Sequence, residues 1–184
     1  MTSIILIAAV ALLALWAIWI FNRLIRDRNR TEAGWSDIDV QLQRRHDLIP
    51  RLVEAVRGYA NHERATLEAV TTLRDLSQRA GRRLPEKAAL EDQIEAATHR
   101  LIALAESYPD LKANRNFLEL QKELATTEDH IQYARRFYNG AVRAYNTRRE
   151  SFPDLLIARS FAFREREFFE ADPAAAAAVR VELG

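Results

Sequence analysis

Arg44, Arg45, His46 and Asp47 form the densest polar run in this 184-residue chain, and Pro50 follows three residues later. Adjacent cations beside a residue that disturbs helices could hold an anion or a lipid headgroup. They could equally be structural, with Arg44 or Arg45 paired to a carboxylate such as Glu106 or Glu128, because a guanidinium that leaves water needs a hydrogen-bonded counterion. The structural reading is the one expected here, with Glu128 as the preferred partner and the other arginine solvated. Two further pairs, Tyr138-Asn139 and Tyr145-Asn146, recur at a spacing of seven and so occupy equivalent positions on a helix. Buried Tyr and Asn at such positions fix register by hydrogen bonds across helices, whereas the competing use is to line a ligand pocket. Phe161, Phe163, Phe168 and Phe169 place four of the eight phenylalanines within nine residues, among Arg164, Glu165, Arg166 and Glu167. They are expected to cover a neighbouring helix; the alternative is an apolar patch for a partner or for a second membrane contact.

None of these groups forms a catalytic, cofactor or metal pattern. The chain has no cysteine, which removes thiolate nucleophiles, disulfides and sulfur-based metal sites. Bundle di-metal sites need Glu three residues before His on each of two helices, and the positions three before His46, His62, His99 and His130 are Gln43, Tyr59, Ala96 and Thr127. Glu95 and His99 share a helix face, but a lone pair of this kind is ordinarily a surface contact. Glycine-rich phosphate loops, HExxH zinc motifs and the sharp glycine turn of serine hydrolases are likewise missing. The expectation is a chain without enzyme activity, cofactor or metal.

The elements that must position these residues begin with an anchor. Residues 4–21 are 18 consecutive apolar residues, followed by Arg23, Arg26, Arg28 and Arg30. At about 1.5 Å per residue the run covers about 27 Å, the thickness of a bilayer core. Its start lacks a basic flank and its end, Trp19-Ile20-Phe21-Asn22, lacks the small residues of a cleavage site, so a retained span is expected and not a signal peptide. Trp16 and Trp19 suit the headgroup region, where Arg23 and Arg26 can snorkel to phosphate. The positive-inside rule then puts the N-terminus outside and the body in the cytoplasm. The formal charge of +1 divides into +3 for residues 1–30, with four Arg against one Asp, and −2 for the remainder. A slightly acidic body is a poor match for nucleic acid.

Beyond the anchor, 1–30, the body 31–169 reads as all-α and the remainder, 170–184, as an alanine-rich tail forming at most a marginal helix. Trp35, Ile38, Leu42, Ile49, Leu52, Val56 and Tyr59 lie on one stripe of a long helix predicted to run to about Gln78, kinked but not ended at Pro50. Gly81 suits its stop and Pro85 the first turn of the next helix. That helix carries Leu90, Ile94, Ala97, Leu101, Leu104 and Tyr108, and Pro109 ends it. A third, capped by Asn114, carries Phe117, Leu120, Leu124, Ile131, Ala134, Tyr138, Val142 and Tyr145. Ser151-Phe152-Pro153 breaks the chain, and 154–169 reads as a shorter fourth helix turning back over the third, whose length exceeds that of the second by roughly 20 Å. The result is an antiparallel bundle of three long helices and one shorter one behind a transmembrane helix.

Several blocks carry a resemblance. Gln41-Leu42-Gln43-Arg44-Arg45-His46-Asp47-Leu48-Ile49-Pro50-Arg51-Leu52-Val53, Gly58-Tyr59-Ala60-Asn61-His62-Glu63, Glu106-Ser107-Tyr108-Pro109-Asp110-Leu111-Lys112-Ala113-Asn114, Leu118-Glu119-Leu120-Gln121-Lys122-Glu123-Leu124 with Glu128, and Ala134-Arg135-Arg136 through Phe152-Pro153 follow in this order behind one span. As a set they resemble the LemA family of bacterial membrane-anchored proteins, over roughly residues 20–163. The resemblance implies one transmembrane segment and a cytoplasmic helical bundle, and it implies no enzyme activity. Relatives are linked with envelope processes and with membrane organisation in organelle-forming bacteria. The segment beyond about Phe169 shows no family pattern. The expected function is a scaffold or adaptor in the membrane, homo-oligomeric and in contact with other membrane or cytoplasmic proteins. The rivals are a ligand-sensing or enzymatic body with a polar pocket, and an oligomer that shapes the bilayer.

Overall fold

The computed structural model describes residues 1–60, 64–79 and 84–170, and among these there is no strand. The expectation for 170–184 falls, beyond Glu170, outside the described residues, as does the stop at Gly81. Six helices follow in order: α1 Thr2–Arg57, α2 Arg64–Arg79, α3 Leu84–Ala105, α4 Pro109–Lys112, α5 Arg115–Glu150 and α6 Asp154–Ser160. The apolar run and the first body helix are one helix of 56 residues, about 84 Å long. Its N-terminal side chains lie open, with Ile4 71% and Leu15 64% exposed, and burial begins at Ile20 and Leu24. A helix long and apolar enough to cross a membrane thus runs without interruption into the bundle.

α1 ends at Arg57, well short of the end near Gln78 that the stripe suggested. Gly58 and Tyr59 form a turn, with the amides of Tyr59 and Ala60 both bonded to the Val56 carbonyl, and Ala60 is buried while Tyr59 is left 43% exposed. The remainder of the expected helix is the separate α2, packed against α1 and α3. Pro50 lies inside α1 without ending it. Proline has no N–H, so the carbonyl of His46 one turn back lacks its helical donor. Arg74 of α2 supplies the bond, its Nε lying 2.9 Å from the His46 oxygen. The proline therefore gives α2 a docking point.

Contacts between Arg148 and Asp27, Tyr138 and Trp35, Glu128 and Arg45, and Glu123 and Arg51 set α5 antiparallel to α1, each step up one helix matched by a step down the other. Lys87 beside Asp39 and Glu91 beside Arg45 run α3 parallel to α1. With α2 descending between them, the distal half is an up-down-up-down arrangement of α1, α2, α3 and α5. Its core includes Ile49, Leu52, Val56, Val70, Leu73, Ile94, Leu101, Leu111 and Leu120. A second cluster centred on Ile38, Leu42, Ile131, Tyr138, Val142 and Phe169 fills the middle, and Ile20, Leu24 and Ala158 form a third at the base. Gly34 allows the close crossing of α1 and α5: a Cβ there would lie 3.2 Å from the Tyr138 Cα. Asn114 caps α5, its Oδ1 accepting from the amides of Asn116 and Phe117.

The fourth helix is shorter than expected. It spans seven residues, not sixteen, because Ala162 adopts φ 52° and closes it. The Phe163 amide bonds to the Ala158 carbonyl and the Ala162 amide to the Arg159 carbonyl, with Phe163 packed in the cluster that holds Ala158. This is a Schellman ending made by alanine where glycine is usual. The chain beyond it is not helical, and residues 163–169 run back along α5 as an extended strap. α5 with 36 residues outreaches α3 with 22, and the strap, not a helix, covers the difference.

Candidate functional site

The polar residues of the sequence divide into two constellations at different heights along α5. The upper one is built on Arg45, 2% exposed at the meeting of α1, α3 and α5. Its Nη1 donates to Glu128 Oε2 at 2.8 Å, and its Nη2 donates to the Glu91 carboxylate and to the Glu91 carbonyl. The other Glu91 oxygen accepts from His46 Nε2 at 2.9 Å and from the Ser77 hydroxyl of α2. Glu91 of α3 thereby joins α1 and α2, and Arg45 extends the network to α5 through Glu128. Burial pushes its carboxyl up, but the His46 hydrogen bond, the Arg45 and His46 charges and the Ser77 hydroxyl outweigh that and hold it at about 2. Burial likewise opposes the Arg45 charge, and Glu91 and Glu128 more than restore it.

Arg44 is exposed, as is Asp47, which accepts from Gln43 at 2.8 Å. Glu106 is exposed at the rim of a cleft of about 340 Å³ between α3 and α5, whose wall includes Arg45, Glu95, Thr98, His99 and Glu128. Thr98 Oγ1 is buried there without a hydrogen-bond partner, and the Glu95 and Glu128 carboxyls lie within hydrogen-bonding reach of each other. Burial and the neighbouring Glu128 push the Glu95 carboxyl up. Glu91, Ser77 and Thr98 were missed by the sequence reading. Glu91, Ile94, Thr98, Leu101 and Ala105 step by three and four, so a seam drawn through them would have carried the buried glutamate and threonine.

The lower constellation is the Tyr/Asn repeat. Tyr145 donates its hydroxyl to the Arg164 carbonyl at 2.9 Å and Tyr138 donates to the Glu167 carbonyl at 2.8 Å. Asn146 accepts from the Arg166 amide and donates to the Arg166 carbonyl, and Asn139 does the same with Phe169. Each side-chain amide thus pairs with one backbone residue as a neighbouring strand would. The register follows from geometry: seven helical residues rise about 10.5 Å, and three extended residues cover about 10 Å. The expected bonding partner was a neighbouring helix; the actual partner is an extended backbone, because side-chain amides offer a strand-like edge that a helix, with its own bonds made, cannot use. Burial pushes both phenols up and keeps them protonated donors at neutral pH.

The four phenylalanines separate. Phe169 is fully buried, with its ring 5.6 Å from Trp35, and Phe168 is partly buried beside it. Phe163 packs on the basal cluster, and Phe161 is 60% exposed. Trp16 and Trp19 are exposed on α1, the Arg23 guanidinium lies over the Trp19 ring at 5.1 Å, and Arg26 faces outward.

Two outcomes are expected. Glu91→Gln removes one partner of a buried ion pair and lowers unfolding stability by about 3 kcal/mol. In the native chain the folded carboxyl is depressed, so its contribution is full above about 4.5 and is lost as pH falls through about 2. Thermal unfolding of the full chain in detergent will show the midpoint dropping across that window, and the drop will be shallower in Glu91→Gln; equal stability of the two at pH 7 contradicts the assignment. Asn139→Ala with Asn146→Ala withdraws four bonds from the strap, and at about 0.5–1 kcal/mol each the open fraction rises at least about 30-fold. Trypsin cleavage after Arg164 and Arg166 will accelerate accordingly, while cleavage in the distal bundle stays unchanged.

Comparison with known proteins adds the lineage. The chain is 27% identical over 150 residues to Protein LemA of Metamycoplasma hominis, covering 82% of this chain and 68% of that one. Magnetosome protein MamQ 2 of Paramagnetospirillum magneticum is 25% identical over 179 residues, covering 84% and 66%, and magnetosome protein MamQ of Magnetospirillum gryphiswaldense is 23% identical with the same coverage. The chain spans about two thirds of the length of each of these relatives. The LemA family model matches residues 34–183, so the match extends past the strap into the segment beyond Phe169, where no family pattern was expected, and the chain belongs to the LemA family.

Proposed function

We propose that this LemA-family chain is a membrane-anchored scaffold whose helical body presents surfaces to other proteins and to copies of itself, without catalysis of its own. The observation that carries this reading is the occupation of its chemistry-bearing groups: Arg45, His46, Glu91, Tyr138, Asn139, Tyr145 and Asn146 are bonded to one another or to the strap. The unbroken α1 supports it, since one stiff helix carries the body on the membrane. Relatives named for the magnetosome fit a role in association with a membrane. The arginines after the span favour a body in the cytoplasm of a bacterium, with the N-terminus across its inner membrane. The surface offered to a partner includes Tyr133 and Phe137 of α5, 67% and 42% exposed. A photoreactive amino acid at Tyr133, activated in intact membranes, will yield adducts with a second copy or with a neighbouring protein; a strictly monomeric product would sink the proposal.

A second reading is favoured by one observation, the buried and unpartnered Thr98 Oγ1 in a cleft between α3 and α5 that the Glu95 and Glu128 carboxyls also line. Under it the cleft holds a small ligand that supplies the missing donor. A thermal-shift screen of the full chain is expected to find a stabilising compound whose effect disappears in Glu128→Gln. A stabilising effect that persists in Glu128→Gln, or none across the screen, returns the cleft to a packing feature.

A further inference from the structure

The base of the body carries apolar side chains that no part of the described chain covers. Phe152 is 79% exposed, Leu156 54% and Phe161 60%, whereas Ala158 on the opposite side of α6 is 1% exposed. Phe152 lies in the turn just before α6, Leu156 within the helix and Phe161 at its end. Their height relative to the membrane is set by what α6 touches. Ile20 and Phe21 are the last two residues of the apolar run. Ile20 is wholly buried in the cluster formed with Ala158, Ile157 and Phe163. Phe21 has the Phe161 ring 4.8 Å away and the Phe163 ring 5.7 Å away. A helix that buries the final residues of a membrane span sits at the depth where hydrocarbon gives way to headgroups.

We propose that α6, with Phe152 before it and Phe161 after it, is an interfacial foot that lies on the leaflet from which α1 emerges, burying Phe152, Leu156 and Phe161 in phospholipid. The proposal rests on α1 spanning the bilayer, and its occupant is lipid because the exposed face is continuous with the lipid-facing surface of the span. Charge agrees with this. Arg159, three residues after Leu156 on α6, is exposed, as are Arg164 with its neighbour Glu165 and Arg26 of α1, and the Arg28 guanidinium lies 6.0 Å from the Phe163 ring. An apolar face rimmed by arginines matches acyl chains below anionic phosphates, as in helices that lie in the membrane plane. A foot of this kind would fix the body against the bilayer at two places.

The absence of native cysteine makes the test direct. Single cysteines at Leu156, Phe161, Leu12 and Tyr133 carry a nitroxide in the full chain, reconstituted into phosphatidylethanolamine and phosphatidylglycerol vesicles, and collisions with oxygen and with a neutral nickel chelate are measured. Labels at Leu156 and Phe161 are expected to show an oxygen-to-nickel ratio several-fold above that at Tyr133 and approaching that at Leu12. If Leu12 is lipid-exposed while Leu156 and Phe161 match Tyr133, the foot is wrong and the span stands. If Leu156 and Phe161 are shielded from both reagents, a second copy covers the face and the lipid assignment is overturned. If Leu12 itself is open to nickel, the span and the foot fail together. Leu156→Cys alters an exposed side chain and keeps the test valid where Phe161→Cys disturbs the ring contact with Phe21.

Discussion

A single buried guanidinium holds the upper half of this molecule in register. Arg45 leaves water on α1 and meets one carboxylate from α3 and another from α5, while the α3 carboxylate is completed by α1 and α2. Ion pairs withdrawn from solvent repay desolvation incompletely, so the network contributes less to net stability than to uniqueness. Any slip of one helix by a turn strands a charge without its counterion, at a cost that hydrophobic seams of leucine and alanine do not impose. The Pro50 interruption a few residues on adds a second constraint, since the orphaned His46 carbonyl accepts only where Arg74 can reach it.

The lower half is organised on a different principle. Where α3 runs out, two helices alone would leave Trp35, Tyr138 and Val142 facing solvent. The chain solves this with backbone in place of another helix, and the amides of Asn139 and Asn146 complete the bonds that an extended segment would otherwise lack. The same bonds are indifferent to the side chains of the strap, whose identity is fixed elsewhere: Phe169 by the Trp35 pocket and Arg166 by Glu32 at 2.6 Å. Packing and register are thus assigned to different atoms of one segment.

The long helices α1, α3 and α5, their order and most of their core faces were legible because they express a period of three and four that any amphipathic helix must show, whereas α2 was read as part of α1 and α4 was not foreseen. The anchor, the Asn114 cap and the break at Ser151-Phe152-Pro153 were legible for the same reason: each has a local signature. What escaped depended on tertiary partners. α1 ends at Arg57 with Gly58 at its C-cap, a stop that was hidden because Tyr59 continues the apolar stripe beyond it. The close of α6 at Ala162 is made by a residue with the highest helix propensity, held in a left-handed conformation by the packing of Phe163. At the site, the pairing of Arg45 with Glu128 could be reasoned from charge, whereas Glu91 was hidden one step off the assumed seam and the strap was hidden inside a helix-like composition.

Because α1 has no joint between lipid and bundle, the protein behaves as a lever whose short arm is in the bilayer. Residues 22–57 stand on the membrane for about 54 Å, so a change in tilt of about 10° moves the far tip by roughly 9 Å. Rotation is conveyed as faithfully: turning the buried arm about its axis swings every outward-facing side chain of the bundle through the same angle. A change in bilayer thickness that alters the tilt of the span would therefore also displace the far tip of the body.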